Sequence, residues 1–158
     1  MIEENNRKKA NEIYGTLCKV LDSRDWVYEK DEEHLILHFG VSGDDLPIQI
    51  IFVIDADREI IRLLSPMPFK MGDYARVEGS LATCIASNSL IDGTFDYDMS
   101  DGSIVFRMTA SFKDSIVGTG LFEYMIDCSC VTIGRYNGQF DAINKGEMSI
   151  EDMLTKKD

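Results

Sequence analysis

Over residues 4–22 apolar side chains recur every three or four positions. Ala10, Ile13, Leu17, Val20 and Leu21 share one face and charges fill the rest, which predicts an amphipathic first helix. Ser23-Arg24-Asp25 breaks it, and the period then drops to two. Residues 26–29 begin a strand, Asp31-Glu32 turns, and 34–41 return as a second strand. Here Leu35, Leu37 and Phe39 alternate with His34, Ile36 and His38. After a turn at Gly43-Asp44-Asp45, the run 47–55 (PIQIIFVID) is apolar on both faces apart from Gln49. That is the pattern of a central strand covered on both sides. Asp55-Ala56-Asp57 turns into a fourth strand at 59–65, and 66–72 reads as a Pro-rich loop.

Helical spacing resumes with Asp73 as a candidate N-cap. Tyr74, Val77, Leu81, Cys84, Ile85 and Asn88 fall on one stripe, and the helix ends near 90–93. Residues 94–109 then form a hairpin. A two-residue turn at Asp101-Gly102 pairs Met99 with Ile104, Tyr97 with Phe106 and Phe95 with Met108 on one apolar face. The other face pairs Asp98 with Val105, Asp96 with Arg107 and Thr94 with Thr109. A one-residue slip would lose the buried face. A loop at 114–120 leads to a third helix over about 120–137, capped by Thr119 and bending at Gly134 or Gly138. Its stripe holds Phe122, Met125, Ile126, Ile133, Tyr136 and Phe140. Ser149 caps a last short helical segment, 149–154. The order α-β-β-β-β-α-β-β-α, with tight turns between strands, predicts an α+β fold: an antiparallel sheet of about six strands flanked by helices.

Composition adds bounds. The 158 residues match the size of one domain, and 44% hydrophobic with 28% charged residues is ordinary for a globular chain. The formal net charge of −12 disfavours nucleic acid and anionic membrane surfaces as partners. The polar start MIEENNRKKANE lacks the apolar core of a secretory signal, and no apolar run approaches bilayer-spanning length, so a cytoplasmic location is expected. Cys18, Cys84, Cys128 and Cys130 then read as reduced thiols.

Candidate chemistry does not assemble into a site. Four strand positions place His34 and His38 ~13 Å apart, too far to share a metal. On a helix Cys128 and Cys130 point roughly 200° apart. Asp96, Asp98 and Asp101 alternate as a strand does and lack the Glu that closes a calcium loop. Gly118-Thr119-Gly120 opens a helix without the rest of a phosphate-binding fingerprint. No serine nucleophile motif is present, and neither histidine has an obvious nucleophile partner. No catalytic, cofactor-binding or metal residue is therefore assigned. Within the loop 66–72, Met67, Phe69 and Met71 are the candidate partner-binding residues, since thioethers and an aromatic suit an adaptable protein-binding patch. The competing reading has these side chains fold back to cap one end of the core.

The stretch IASNSLIDGTFDYDMSDGSIVFRMTASF resembles the YbjN-like family of bacterial proteins, named as sensory transduction regulators. The resemblance rests on Asn88 late in a helix, Gly93 and Phe95 opening a strand, the Asp101-Gly102 turn, and Ile104 and Phe106 in the return strand. The final NKGEMSIEDML resembles the family's ending, and the order of elements fits nearly the whole chain. The resemblance implies a single YbjN-like domain over 1–158 with the fold of the type III secretion chaperones. Those small acidic proteins often dimerise and bind extended segments of their partners. It implies no enzymatic activity. The Met-Pro-Phe loop, and a third helix rich in Cys, Ser, Thr and Gly, depart from the family pattern. The first expectation is thus a non-enzymatic, cytosolic protein-binding or regulatory module that needs no cofactor. It would hold a protein partner through an apolar patch on its sheet or helices and possess a homodimer interface. The second is a small-molecule-binding sensory domain, which predicts a closed apolar pocket between sheet and helices.

Overall fold

The computed structural model describes residues 2–156. The elements run α1 (Ile2–Ser23), β1 (Glu29–Asp31), β2 (Ile36–Val41), β3 (Ile48–Asp55), β4 (Ile60–Lys70), a 3-10 turn (Asp73–Ala75), α2 (Arg76–Asn88), β5 (Thr94–Tyr97), β6 (Ser103–Ser111), α3 (Thr119–Asn144) and α4 (Ile150–Thr155). The strands form one antiparallel sheet in the order β1-β2-β3-β4-β6-β5, the expected α+β architecture.

One face of this sheet is the core. Leu37, Phe39, Ile50, Phe52, Ile61, Leu63, Ile104 and Phe106 are buried there under the apolar stripes of α1 and α3. The predicted stripe of α1 is buried in full, joined by Tyr14, whose hydroxyl donates to the Ile36 carbonyl at 3.0 Å. Burial pushes that hydroxyl's pKa up to about 12. All six residues predicted for α3 are buried too. Aromatic contacts knit the layers. Phe52 meets Phe122 edge-on with centroids 5.6 Å apart, and Phe95 packs edge-on against Tyr136 and Phe140 at 5.7 and 5.0 Å.

Local rules explain the helix ends. α1 stops at Asp25, which takes a left-handed φ of 54° while the Trp26 amide bonds back to the Leu21 carbonyl. α3 ends at Gly146 (φ 73°), with the Glu147 amide on the Ala142 carbonyl. α4 carries a full capping box between Ser149 and Asp152.

Several expectations need correction. The hairpin register is two residues from the predicted one: Tyr97 opposes Ile104 and Phe95 opposes Phe106. A four-residue connection, residues 99–102, replaces the two-residue turn, closed by the Gly102 amide on the Asp98 carbonyl at 2.8 Å. Because side chains alternate with period two, a shift of two keeps every residue on its predicted face. Met99 alone leaves the apolar face, 51% exposed in the turn. Residues 66–70 are strand, not loop. The β4–β6 pairing continues through Pro66↔Val105 and resumes at Lys70↔Ser103 across an irregularity. The described β3–β4 pairing ends at Ile51↔Leu64, so the prolines sit where β4 has become an edge. α3 runs unbroken past Gly134 and Gly138 to Asn144, and Gly118 rather than Thr119 is its N-cap. Likewise Ala75, not Asp73, precedes α2 as N-cap, and Asp73 instead accepts from Arg76 at 2.7 Å.

Candidate functional site

Met67 and Met71 are buried, at 8% and 1% exposure, and Phe69 is half-buried against the core. The surface patch expected of these three residues therefore does not form. Met67 continues the core-facing positions Ile61, Leu63 and Ser65 of β4, and Phe69 and Met71 pack on the same core.

Exposed apolar surface lies elsewhere, first on α2. The predicted stripe of this helix faces outward: Tyr74, Val77 and Leu81 are 76%, 58% and 48% exposed, and Cys84 is exposed beside them. The buried face is the small one, Gly79, Ala82, Thr83 and Ala86. Small side chains win because α2 lies tight along the free edge of β5. A Cβ on Gly79 would stand 2.6 Å from Met71 Cγ and 2.7 Å from Tyr97 Oη. Ser87 Oγ accepts the Phe95 amide at 2.9 Å and the Tyr97 hydroxyl donates to the Arg76 carbonyl at 2.7 Å, so the helix satisfies the edge strand. Apolar periodicity cannot tell a large exposed stripe from a core stripe when close approach decides the packing.

The second surface is the far face of the sheet. The described helix-to-sheet packing lies on the Phe52 face, with α2 along the β5 edge, and among the described residues no helix packs on the opposite face. Across its middle runs the row His38–Ile51–Leu64–Arg107–Thr94, and beside it Ile36–Val53–Arg62–Thr109. Val105 lies next to Arg107 on the same face, opposite Asp96 and Pro66. Ile36, Ile51, Val53, Leu64 and Val105 are each half-buried, shielded by their sheet neighbours alone. The strand 47–55 is thus central and apolar on both faces as predicted, yet only one face is covered.

Charged groups frame this patch and are mostly paired. Arg107 holds Asp96 through two hydrogen bonds, 2.6 and 3.1 Å. Asp55 accepts the Arg58 amide at 3.0 Å and its guanidinium at 2.9 Å. Those bonds, with the charges of Arg58 and Arg62, hold the Asp55 carboxyl below the usual carboxylate range. His38 bonds Gln49 at 2.6 Å and lies 3.7 Å from Glu29. His34 instead sits in the β1–β2 turn, on Asp31 at 2.8 Å. At the hairpin tip, Asp98 takes Ser100, and Asp101 takes Lys70 and the Ser103 amide. Bonds from Lys70 and Ser103 hold Asp101 well below the carboxylate range. These carboxylates are spent on turn geometry.

Among the described residues no group of three His, Cys, Asp or Glu side chains could hold a metal ion. One surface cleft, of about 480 Å³, lies along α2 and β5. One of about 470 Å³, between α1 and the segment before α3, is lined by Lys8, Lys9, Glu12, Ile13 and Ile116. Another, of about 440 Å³, is lined by Tyr74, Leu81, Ile143 and Ile150 between α2 and α4. They are surface troughs on the helices. The space between sheet and helices, where the small-molecule reading places its pocket, is filled by Phe52, Phe106, Phe122 and Phe140. No described helix is long and apolar enough to cross a membrane.

These features define a two-layer α+β protein whose helices cover one sheet face and leave the other open. No family model matches the chain, and no curated protein matches it. Among solved structures it is similar to YbjN of E. coli, described as "a putative transcription regulator". The TM-score is 0.63 over 81% of this chain and 90% of that one, at 14% sequence identity. At that identity the likeness is one of fold.

Proposed function

We propose that this chain is a non-enzymatic regulatory module that binds a segment of a partner protein on the open face of its sheet. The observation that carries this reading is the contiguous, helix-free patch of Ile36, Ile51, Val53, Leu64 and Val105 on a rigid six-stranded scaffold. Three inter-strand spacings from β2 to β6 make it about 14 Å wide, enough for one helix or a pair of extended strands. The fold likeness to YbjN, whose structure is described as that of a transcription regulator, supports a regulatory role, the family resemblance of the sequence implies a binding one, and the net charge of −12 favours solubility while the patch stays uncovered. The test is a random-peptide display selection on the purified chain, repeated with Leu64→Lys after a melt confirms folding. Selected peptides are expected to bind the variant at least tenfold more weakly, about 1.4 kcal/mol. Unchanged binding would remove the sheet face from the reading.

For the homodimer implied by the family resemblance we propose a separate seat. Tyr74 in the 3-10 turn and Val77 and Leu81 on α2 are exposed, and α4, which packs on α2, exposes Leu154 at 61%. Two copies related by a two-fold axis would cover both stripes. Sedimentation velocity is expected to show a dimer that Leu81→Lys converts to monomer. A wild-type monomer at the highest accessible concentration would end this second proposal.

A further inference from the structure

The open face holds an arginine, Arg62, with one donor that no described residue accepts. Arg62 stands in β4 directly opposite Val53 on one side and Thr109 on the other, with Ile60 and Leu64 before and after it on the same face. Its Nε is buried and finds no hydrogen-bond partner among the described residues. A guanidinium stays charged throughout the physiological range and presents its donors as a rigid fork. Covering a guanidinium without giving its reachable terminal nitrogens an acceptor is costly.

Nearby carboxylates do not meet that need. Asp55 lies diagonally across the β3–β4 pair, opposite Ile60, and feels the charge of Arg62. Its oxygens are nevertheless taken by the Arg58 amide and guanidinium. Asp96 is gripped through both oxygens by Arg107. Glu29 lies beyond β2, beside His38. A net charge of −12 thus surrounds a face whose centre carries an arginine with a vacant donor.

We propose that the segment docking on this face is apolar with a single Asp or Glu within it, and that this carboxylate closes on the Arg62 guanidinium as the specificity-determining contact. The inference rests on the open face being the docking surface. A partner covering Ile51, Val53 and Leu64 excludes water from Arg62, where a charge-assisted bond is strongest. A neutral partner covers the guanidinium without an acceptor, and a basic one opposes two cations. A run of acidic residues is repelled by the rest of the chain, so the recognised charge is one carboxylate in an apolar context.

The probe is a random-peptide display library, selected separately on the full wild-type chain and on Arg62→Glu. Wild-type binders are expected to combine apolar residues with one carboxylate. Its change to the amide should weaken binding at least tenfold on wild type and less than twofold on Arg62→Gln. Selection on Arg62→Glu should instead enrich Lys or Arg at the same place. Leu64→Lys should weaken every set. Binders that need Leu64 but carry no carboxylate, or that bind Arg62→Gln as tightly as wild type, overturn this inference and leave the docking face standing. Binding indifferent to Leu64→Lys, or no enrichment at all, overturns both. A wild-type dimer dissociated by Leu64→Lys makes a second copy the occupant, which also overturns it.

Discussion

Phe52→Ala is expected to lower stability by about 3–5 kcal/mol, whereas Ile51→Ala, one residue away, costs no more than about 1 kcal/mol. The contrast follows from which sheet face the helices cover. Phe52 is fully buried, stacked on Phe39 with centroids 6.4 Å apart and edge-on to Phe122 of α3. Its loss leaves a cavity under α3 that the rigid sheet cannot close. Ile51 points to the open face and is already half in water. For a chain of this length each kcal/mol moves the midpoint by roughly 2–4 °C, so Phe52→Ala should melt roughly 6–20 °C lower. Calorimetry on the two variants decides it. Equal losses would mean that both faces of β3 are covered.

Gly102→Val is expected to cost more than about 2 kcal/mol and to detach the hairpin tip from β4. Gly102 has φ 76°, a conformation that a β-branched residue resists strongly. A Cβ there would lie 2.2 Å from the Met71 carbonyl oxygen, a backbone atom that cannot swing aside. The Met71 amide donates to the Gly102 carbonyl at 2.8 Å, so relieving the clash breaks the bond that ties tip to strand. Gly134→Ala, inside α3 with nothing within 4 Å of its Cβ, is the control and should stabilise by about 0.5–1 kcal/mol. Urea midpoints and amide exchange at Met71 check both. A Gly102→Val chain as stable as wild type would contradict the turn geometry.

How much of this was legible in the sequence depended on which force set each element. α1 and α3 were readable because their bulky stripes are what the sheet needs to bury. The hairpin's faces were readable for the same reason, but its register was not. Alternation fixes parity alone, and Asp-Gly serves as well at the end of a four-residue connection as in a two-residue turn. α2 misled because close approach to β5 selects Gly79, Ala82 and Ala86, leaving Tyr74, Val77 and Leu81 outside. The prolines of 66–72 misled because their cost in a strand disappears where the neighbouring strand ends. Of the site, β3 showed apolar character on both faces, while Arg62 in β4 was not legible as a site residue because a single cation in a strand carries no signal of its own. Neither could show that α1 and α3 would both pack on the other side, since that depends on the summed demand of the helices for one surface.

Methyl-resolved NMR of the Ile, Leu and Val side chains, with a display-selected peptide titrated in, tests the docking face most directly. Ile36, Ile51, Val53, Leu64 and Val105 are predicted to shift and to show contacts to the peptide, while Val77 and Leu81 on α2 stay in place. Shifts confined to Val77, Leu81 and Leu154, with the sheet-face methyls unmoved, would contradict it.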